Sequence, residues 1–160
     1  MAVVRSYKPD DLEVIMDIAN RAWQPIYAMF RETYGDDLFS HICPDTTTSK
    51  GKQVESQCRE HPEWIYVCEE QGNVVGFVTF WLEPESKVGV IGNNAVDPDC
   101  GLKGIGQAMY QKVLDYFRSK NMAYAKVLTG VDDAHARAQR AYERAGFDIH
   151  HDDRVYCKKL

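Results

Sequence analysis

Residues 96–109, Val-Asp-Pro-Asp-Cys-Gly-Leu-Lys-Gly-Ile-Gly-Gln-Ala-Met, constrain the fold of this chain more than any other stretch. They follow a strand-like apolar run, Val88 to Val96, and open a helix. In that helix Ile105, Ala108, Met109, Val113, Leu114 and Phe117 recur at helical spacing and are expected to point inward. Pro98 stops the strand because it has no ladder N–H to give. Gly101, Gly104 and Gly106 allow a tight turn and a close approach to a ligand. Main-chain N–H groups converge there, with the positive end of the helix dipole behind them. Such a site suits a phosphate or pyrophosphate. On these glycines alone, a plain connecting turn is an equal reading. Two familiar phosphate loops are excluded: no Gly-Lys-Ser or Gly-Lys-Thr occurs, and the order G-x-x-G-x-G is not G-x-G-x-x-G.

The flanking pattern alternates strands and helices. Val3–Tyr7 reads as a strand, followed by a helix with Asp10 and Glu13 in capping-box spacing. Leu12, Ile15, Met16, Ala19, Ala22 and Trp23 mark its buried face, and Pro25 ends or kinks it. A second helix is expected over 26–38 and a third over 52–59, within a polar segment. Strands are expected over 64–70 and 74–82, joined by a turn at 71–73, then over 88–96 and 123–129. The tail, 147–158, reads as one or two last strands. The expected class is one α/β domain, 1–160, with helices on both faces of the sheet.

Composition narrows the setting. A chain of 160 residues can bury about two thirds of its unfolded surface. Five cysteines without a C-x-x-C pair argue for reduced thiols in a cytoplasm. The N-terminus lacks a secretory apolar core, and no run approaches a membrane span. The net charge of −5 argues against nucleic acid bound through a broad basic face. His150 and His151 have no partner pattern for a metal, so none is expected.

The glycine loop resembles motif A of the GNAT superfamily of N-acetyltransferases, V-x-P-x-x-[RQ]-G-x-G-x-[GA]. Val96, Pro98, Lys103, Gly104, Ile105 and Gly106 fall in register; Gly101 and Leu102 depart from the usual Arg or Gln and Gly. A second segment, His135 to Phe147, resembles the family's later helix, N-x-x-A-x-x-x-Y-E-x-x-G-F. Ala138, Tyr142, Glu143, Gly146 and Phe147 match, and His135 stands at the Asn position. The resemblance implies a mixed, mostly antiparallel sheet of about six to seven strands with a splayed parallel pair, here ending near Val96 and Thr129.

It also implies acetyl-CoA as co-substrate and a small-molecule or peptide amine as acceptor, and it leaves room for a homodimer. The pantetheine arm would pair with the backbone of Asn94, Ala95 and Val96. The pyrophosphate would meet Gly101, Leu102, Lys103, Gly104, Ile105 and Gly106, with His135 and Ala138 as further cofactor contacts. Lys103 and Arg140 could meet phosphates, although most such side chains are simply solvated. Tyr142 matches the family's tyrosine acid, which would protonate the leaving thiolate; by period alone it is a core aromatic.

For His135 a cofactor contact ranks above a base, which its imidazole also permits. The strand before motif A carries no carboxylate, so the base is open among water, a backbone carbonyl, Glu83, Asp132 and Asp133. Asn93 and Asn94 are unusual in a strand; either one faces the cleft or they mark a bulge. Trp23, Tyr27, Phe30 and Tyr34 would wall the acceptor side, with the core the plainer reading for Trp23 and Phe30. Cys100 reads as an incidental small residue of the loop. Two other functions fit less well. A non-catalytic acyl-CoA binding domain is favoured by Gly101, Leu102 and the missing carboxylate. A toxin acting on aminoacyl-tRNA would want a basic face.

Overall fold

The computed structural model describes residues 1–160. Its strands are β1 (Val3–Ser6), β2 (Ile65–Glu70), β3 (Asn73–Glu83), β4 (Val88–Val96) and β5 (Tyr124–Val127). They form one sheet in the order β1-β2-β3-β4-β5. Neighbours from β1 to β4 are antiparallel, and β4 and β5 are parallel. The helices are α1 (Leu12–Ala22), α2 (Gln24–Ile42), α3 (Ser49–Glu60), α4 (Ile105–Ser119) and α5 (Ala136–Arg144).

The sheet thus has five strands, not the six to seven expected. The tail from Phe147 onward forms no ladder. Its five consecutive polar residues, His150 to Arg154, break the period-2 alternation that would give a strand one face to bury. Ile149 and Tyr156 accordingly stay exposed.

Other boundaries also shift. The cap before α1 is Asp11 rather than Asp10: its carboxylate accepts the Lys8 N–H at 2.8 Å and is gripped by the Arg5 guanidinium. Pro25 lies in the first turn of α2, where its missing N–H costs no helical bond. α2 is instead interrupted at Gly35, whose φ of 75° is left-handed. α3 starts earlier than expected, just after Asp45 accepts the Thr47 and Thr48 N–H groups, each at 2.9 Å. On α4, Ala108 is exposed and Tyr110 is buried.

Alternation along the strands divides the interior into two cores. Tyr66, Cys68, Val78, Phe80 and Ile91 pack under Met109, Tyr110, Val113 and Phe117 of α4 and Tyr142 of α5. Ile65, Val67 and Phe77 point the other way, to Ile15, Ile18, Val54 and Cys58 of α1 and α3. Odd and even positions of one strand therefore serve different layers.

The register of β4 contains one extra residue. Val78 opposes Asn94, while Phe80 opposes Ile91. Thr79 alone thus faces both Gly92 and Asn93, a β-bulge in β4. The parallel ladder with β5 ends at the same place, at Ile91 and Val127. Beyond it β4 still pairs with β3, through Asn94, Ala95 and Val96, but has lost β5. This is the splayed parallel pair.

Gly92 is required at the bulge. A Cβ there would lie 2.7 Å from Thr79 Oγ1 and 2.7 Å from Trp81 Cζ3, both on stiff, packed side chains. Gly92→Ala should therefore cost about 1–3 kcal/mol, the usual penalty of overpacking. Urea unfolding monitored by circular dichroism should show a lowered midpoint with an unchanged slope.

Candidate active site

The loop after β4 is held from two sides. Asp97 N–H donates to the Val75 carbonyl at 2.8 Å, and Asp99 N–H to Asp97 Oδ1 at 2.9 Å. Arg21 of α1 donates to Asp97 and Asp99, each at 2.8 Å, and to Asp17 at 2.8 Å. The Arg21 hydrogen bond holds the Asp97 carboxyl below the usual carboxylate range, against the opposing effect of burial.

With the loop clasped, Gly101 and Gly104 take left-handed conformations, φ 65° and 82°. Leu102 does not, so the position where the family often has glycine imposes no backbone strain here. None of the main-chain amides of residues 101–107 donates to an acceptor within the chain. They sit at the start of α4, where its dipole is positive. That arrangement fits an anion with several oxygens. The Lys103 and Arg140 side chains are exposed beside this region and form no ion pair.

One wall of the gap is β4 from Asn94 to Val96. The Asn94 amide is fully committed. Its Oδ1 accepts from Tyr110 OH at 2.7 Å, and its Nδ2 donates to the Gly92 carbonyl at 3.1 Å and to Tyr142 OH at 3.0 Å. Tyr142 is buried, its ring 5.1 Å from that of Tyr110. Burial, and secondarily the neighbouring Tyr142, push the Tyr110 phenol far above its ordinary range, so it stays a donor. Because the Tyr142 oxygen accepts from Asn94, its own proton is left to give elsewhere.

The other wall is the turn after β5. Gln139 Nε2 donates to the Gly130 carbonyl at 3.0 Å, tying this turn to α5. His135 Nδ1 lies 2.7 Å from Asp132 Oδ2, and Gly130 leaves the room for that pair, since a Cβ there would stand 2.4 Å from Nδ1. Burial raises the Asp132 carboxyl, but the His135 hydrogen bond and charge outweigh it, and the net shift is downward. The His135 ring meets Trp23 edge-on, centroids 6.5 Å apart, and its Nε2 has no partner in the chain.

Of the two readings of these asparagines, the register supports the bulge, and both amides are spent on hydrogen bonds within the chain. Asn93 lies in the bulge and Asn94 directly after it, and the two face opposite sides. Asn94 points to α4 and α5, while Asn93 Nδ2 donates to Gln57 Oε1 of α3 at 2.9 Å. Glu83 drops out as a base: it opposes Val88, at the end of β4 remote from the gap. Asp133 is exposed, in the same short turn as His135. Ala138 is half-buried on α5 between His135 and Tyr142. Trp23 and Phe30 are only partly buried, and Phe30 stacks on Tyr34 at 5.6 Å. Tyr27 OH and Ser49 Oγ, 2.8 Å apart, join α2 to α3.

Sequence reading missed four groups: Tyr110, Thr79, Lys50 and Gln57. Tyr110 sits next to Met109, and the inward set Met109, Val113 and Phe117 passes over it. Thr79 has a buried hydroxyl without a partner, opposite the bulge. Lys50 and Gln57 share the inward side of α3 with Val54, a spacing of four and three that the polar segment conceals.

A sequence model described as the acetyltransferase (GNAT) family matches residues 16–147. A mycothiol acetyltransferase of Acidimicrobium ferrooxidans is 28% identical over 157 residues, 93% of this chain and 44% of its own length. The chain spans less than half of the mycothiol acetyltransferases it matches. An S-(2-succino)cysteine N-acetyltransferase of Bacillus subtilis is 29% identical over 146 residues, 86% of this chain and 78% of that one. The crystal structure of the PaiA N-acetyltransferase of Thermoplasma acidophilum, in complex with coenzyme A, superposes with a TM-score of 0.72. It is 16% identical and covers 96% of this chain and 93% of its own, a likeness of fold.

The clasp on the loop gives a pH-dependent expectation. Asp97 has a lowered carboxyl pKa, so its pairing with Arg21 stabilises the fold above the ordinary carboxylate range. That contribution is lost as pH falls through the lowered value. Arg21→Met should lower Tm at pH 7, and the difference from wild type should shrink at pH values below about 3.9, the ordinary aspartate pKa. Differential scanning fluorimetry across pH measures it.

Proposed function

Because the chain belongs to the acetyltransferase (GNAT) family, we propose that it transfers the acetyl group of acetyl-CoA to a primary amine by direct attack. The observation that carries this reading is the Asn94–Tyr142 hydrogen bond at the open end of β4. It supports the reading because Tyr142 OH accepts from Asn94 and keeps its own proton to give, beside an unpaired strand edge and a loop of free amides.

The residues present fit acetyl-CoA. Amides 101–107 would take the pyrophosphate, and the free edge of Asn94, Ala95 and Val96 would pair with the pantetheine amides. When bound, the thioester supplies an acyl carbon open to an amine and a thiolate that departs. Tyr142 gives its proton to that thiolate sulfur, and Asn94 keeps the phenol turned for the transfer. His135, held through Nδ1 by Asp132, takes the proton of the amine at Nε2. The sequence favoured a cofactor contact for His135. The Asp132 pair and the Trp23 face support the base instead, because they fix the ring and leave one nitrogen free on the acceptor side. Gly101 and Leu102 do not weigh against binding, since the grip on the pyrophosphate is main-chain. Five unpaired cysteines support a reducing, cytoplasmic setting.

Tyr142→Phe keeps the ring and removes the proton. It should lower kcat by roughly ten- to ten-thousand-fold in a thiol-release assay. The rise in Tm on adding acetyl-CoA should be kept. Gly104→Glu should abolish that rise, because it sets bulk and negative charge against the amides. His135→Asn should lower kcat with the Tm rise intact; full activity in this variant would return His135 to a cofactor contact. Normal acetyl-CoA binding by Gly104→Glu would refute the loop assignment.

A further inference from the structure

Lys50 is the one cation in the interior that no carboxylate neutralises. It is 9% exposed, yet it takes part in none of the chain's ion pairs. Its partners are weak substitutes. Nζ stands 3.6 Å from the centroid of the Trp23 ring and 3.1 Å from Gln53 Oε1. A buried charge held only by a π face and one amide is costly. Burial drags its pKa down to about 8, so the ammonium remains the prevailing form at neutral pH. An ammonium has three donors, and one amide oxygen and one ring face leave the third free.

The position is built rather than incidental. Gly51 brings α3 close against α1: its N–H donates to Asn20 Oδ1 at 2.7 Å, and a Cβ there would lie 2.7 Å from Asn20 Nδ2. That contact seats Lys50 over Trp23. The same Trp23 ring also meets the candidate base, His135, edge-on with centroids 6.5 Å apart. A single indole therefore neighbours both an unneutralised ammonium and the candidate imidazole. Further along α3, Gln57 reaches Asn93 at the bulge, so the polar side of this helix runs towards the open end of β4.

We propose that Lys50 binds a carboxylate of the acceptor, so that the substrate is an amino-acid-type amine with its amino group at His135 and its carboxylate across Trp23. This rests on the proposed transfer to an amine and adds the acceptor's chemical class. Lys50 takes no part in the bond changes. It supplies the counter-charge that selects acids over plain amines, and the amide groups of Gln53 and Gln57 line the same side without adding charge.

The test uses matched pairs: phenylalanine with phenethylamine, cysteine with cysteamine, and lysine with cadaverine. In the wild type, at least one amino acid should exceed its decarboxylated partner tenfold or more in kcat/KM. Lys50→Met keeps the apolar stem on Trp23 and removes the charge. It should raise KM for that acid at least tenfold, leave kcat/KM for the plain amine within about twofold, and leave the acetyl-CoA-induced Tm shift unchanged. Lys50→Arg should restore part of the preference; Lys50→Gln stands in if the Met variant is unstable. Isothermal titration of the same acids and amines into the coenzyme A-loaded protein reads binding without turnover. Binding of an acid that Lys50→Met abolishes, with no transfer to any amine, upholds the carboxylate site and overturns the proposed catalysis. Equal use of acids and amines by the wild type, equal losses for both in Lys50→Met, or no acid bound or acetylated would each overturn the carboxylate site.

Discussion

One surplus residue in β4 organises this molecule. Without it, β4 could run beside β5 to its end, and the sheet would be regular and sealed. Placing Gly92 and Asn93 against Thr79 alone turns the second half of β4 off the line of β5 while β3 keeps hold of it. The freed edge is rigid because one of its two sides is still laddered. Rigidity matters, since a groove made by a mobile segment would lose binding energy to ordering it. The cost is visible: a strand interior without a side chain at 92 and an orphaned hydroxyl at Thr79.

Around that gap, side chains are fixed by a small number of polar contacts that cross between elements. Asn94 joins β4 to α4 and α5 through two tyrosines. Arg21 joins α1 to the anion loop, and Asp132 with Gln139 joins the turn after β5 to α5. Each contact is short and partly buried, which is where hydrogen bonds to charged or oriented groups contribute most. They place four different segments of the chain about one opening.

Much of this was legible in the sequence, for identifiable reasons. The loop and α4 announce themselves because proline, glycines and apolar period agree on one strand–turn–helix unit. Tyr142 and His135 were singled out through the resemblance of residues 135–147 to the family's later helix; by period alone Tyr142 is a core aromatic. The Asn93–Asn94 pair was recognisable as an anomaly in a strand, with a bulge as one of its two readings; the choice between them waits on register, which is a property of the pairing partner. α3 was the least readable element: its buried side mixes Lys50, Val54 and Gln57, and no hydrophobic period picks out a lysine. The tail misled because its two short apolar runs look like strands, and only the polar stretch between them determines that neither finds a ladder.

The opposite facing of Asn93 and Asn94 has a kinetic meaning. Successive residues of an extended chain look to different sides of the sheet, so Asn94 reaches the layer holding Tyr142 while Asn93 reaches α3, the helix that carries Lys50. A donor entering from one side does not stand in the path of an acceptor entering from the other. Under the proposed direct transfer both would be resident at once, and no acyl group would be parked on the protein between them. On that proposal, double-reciprocal plots would intersect rather than run parallel, and a dead-end analogue of either substrate would compete only with its own kind.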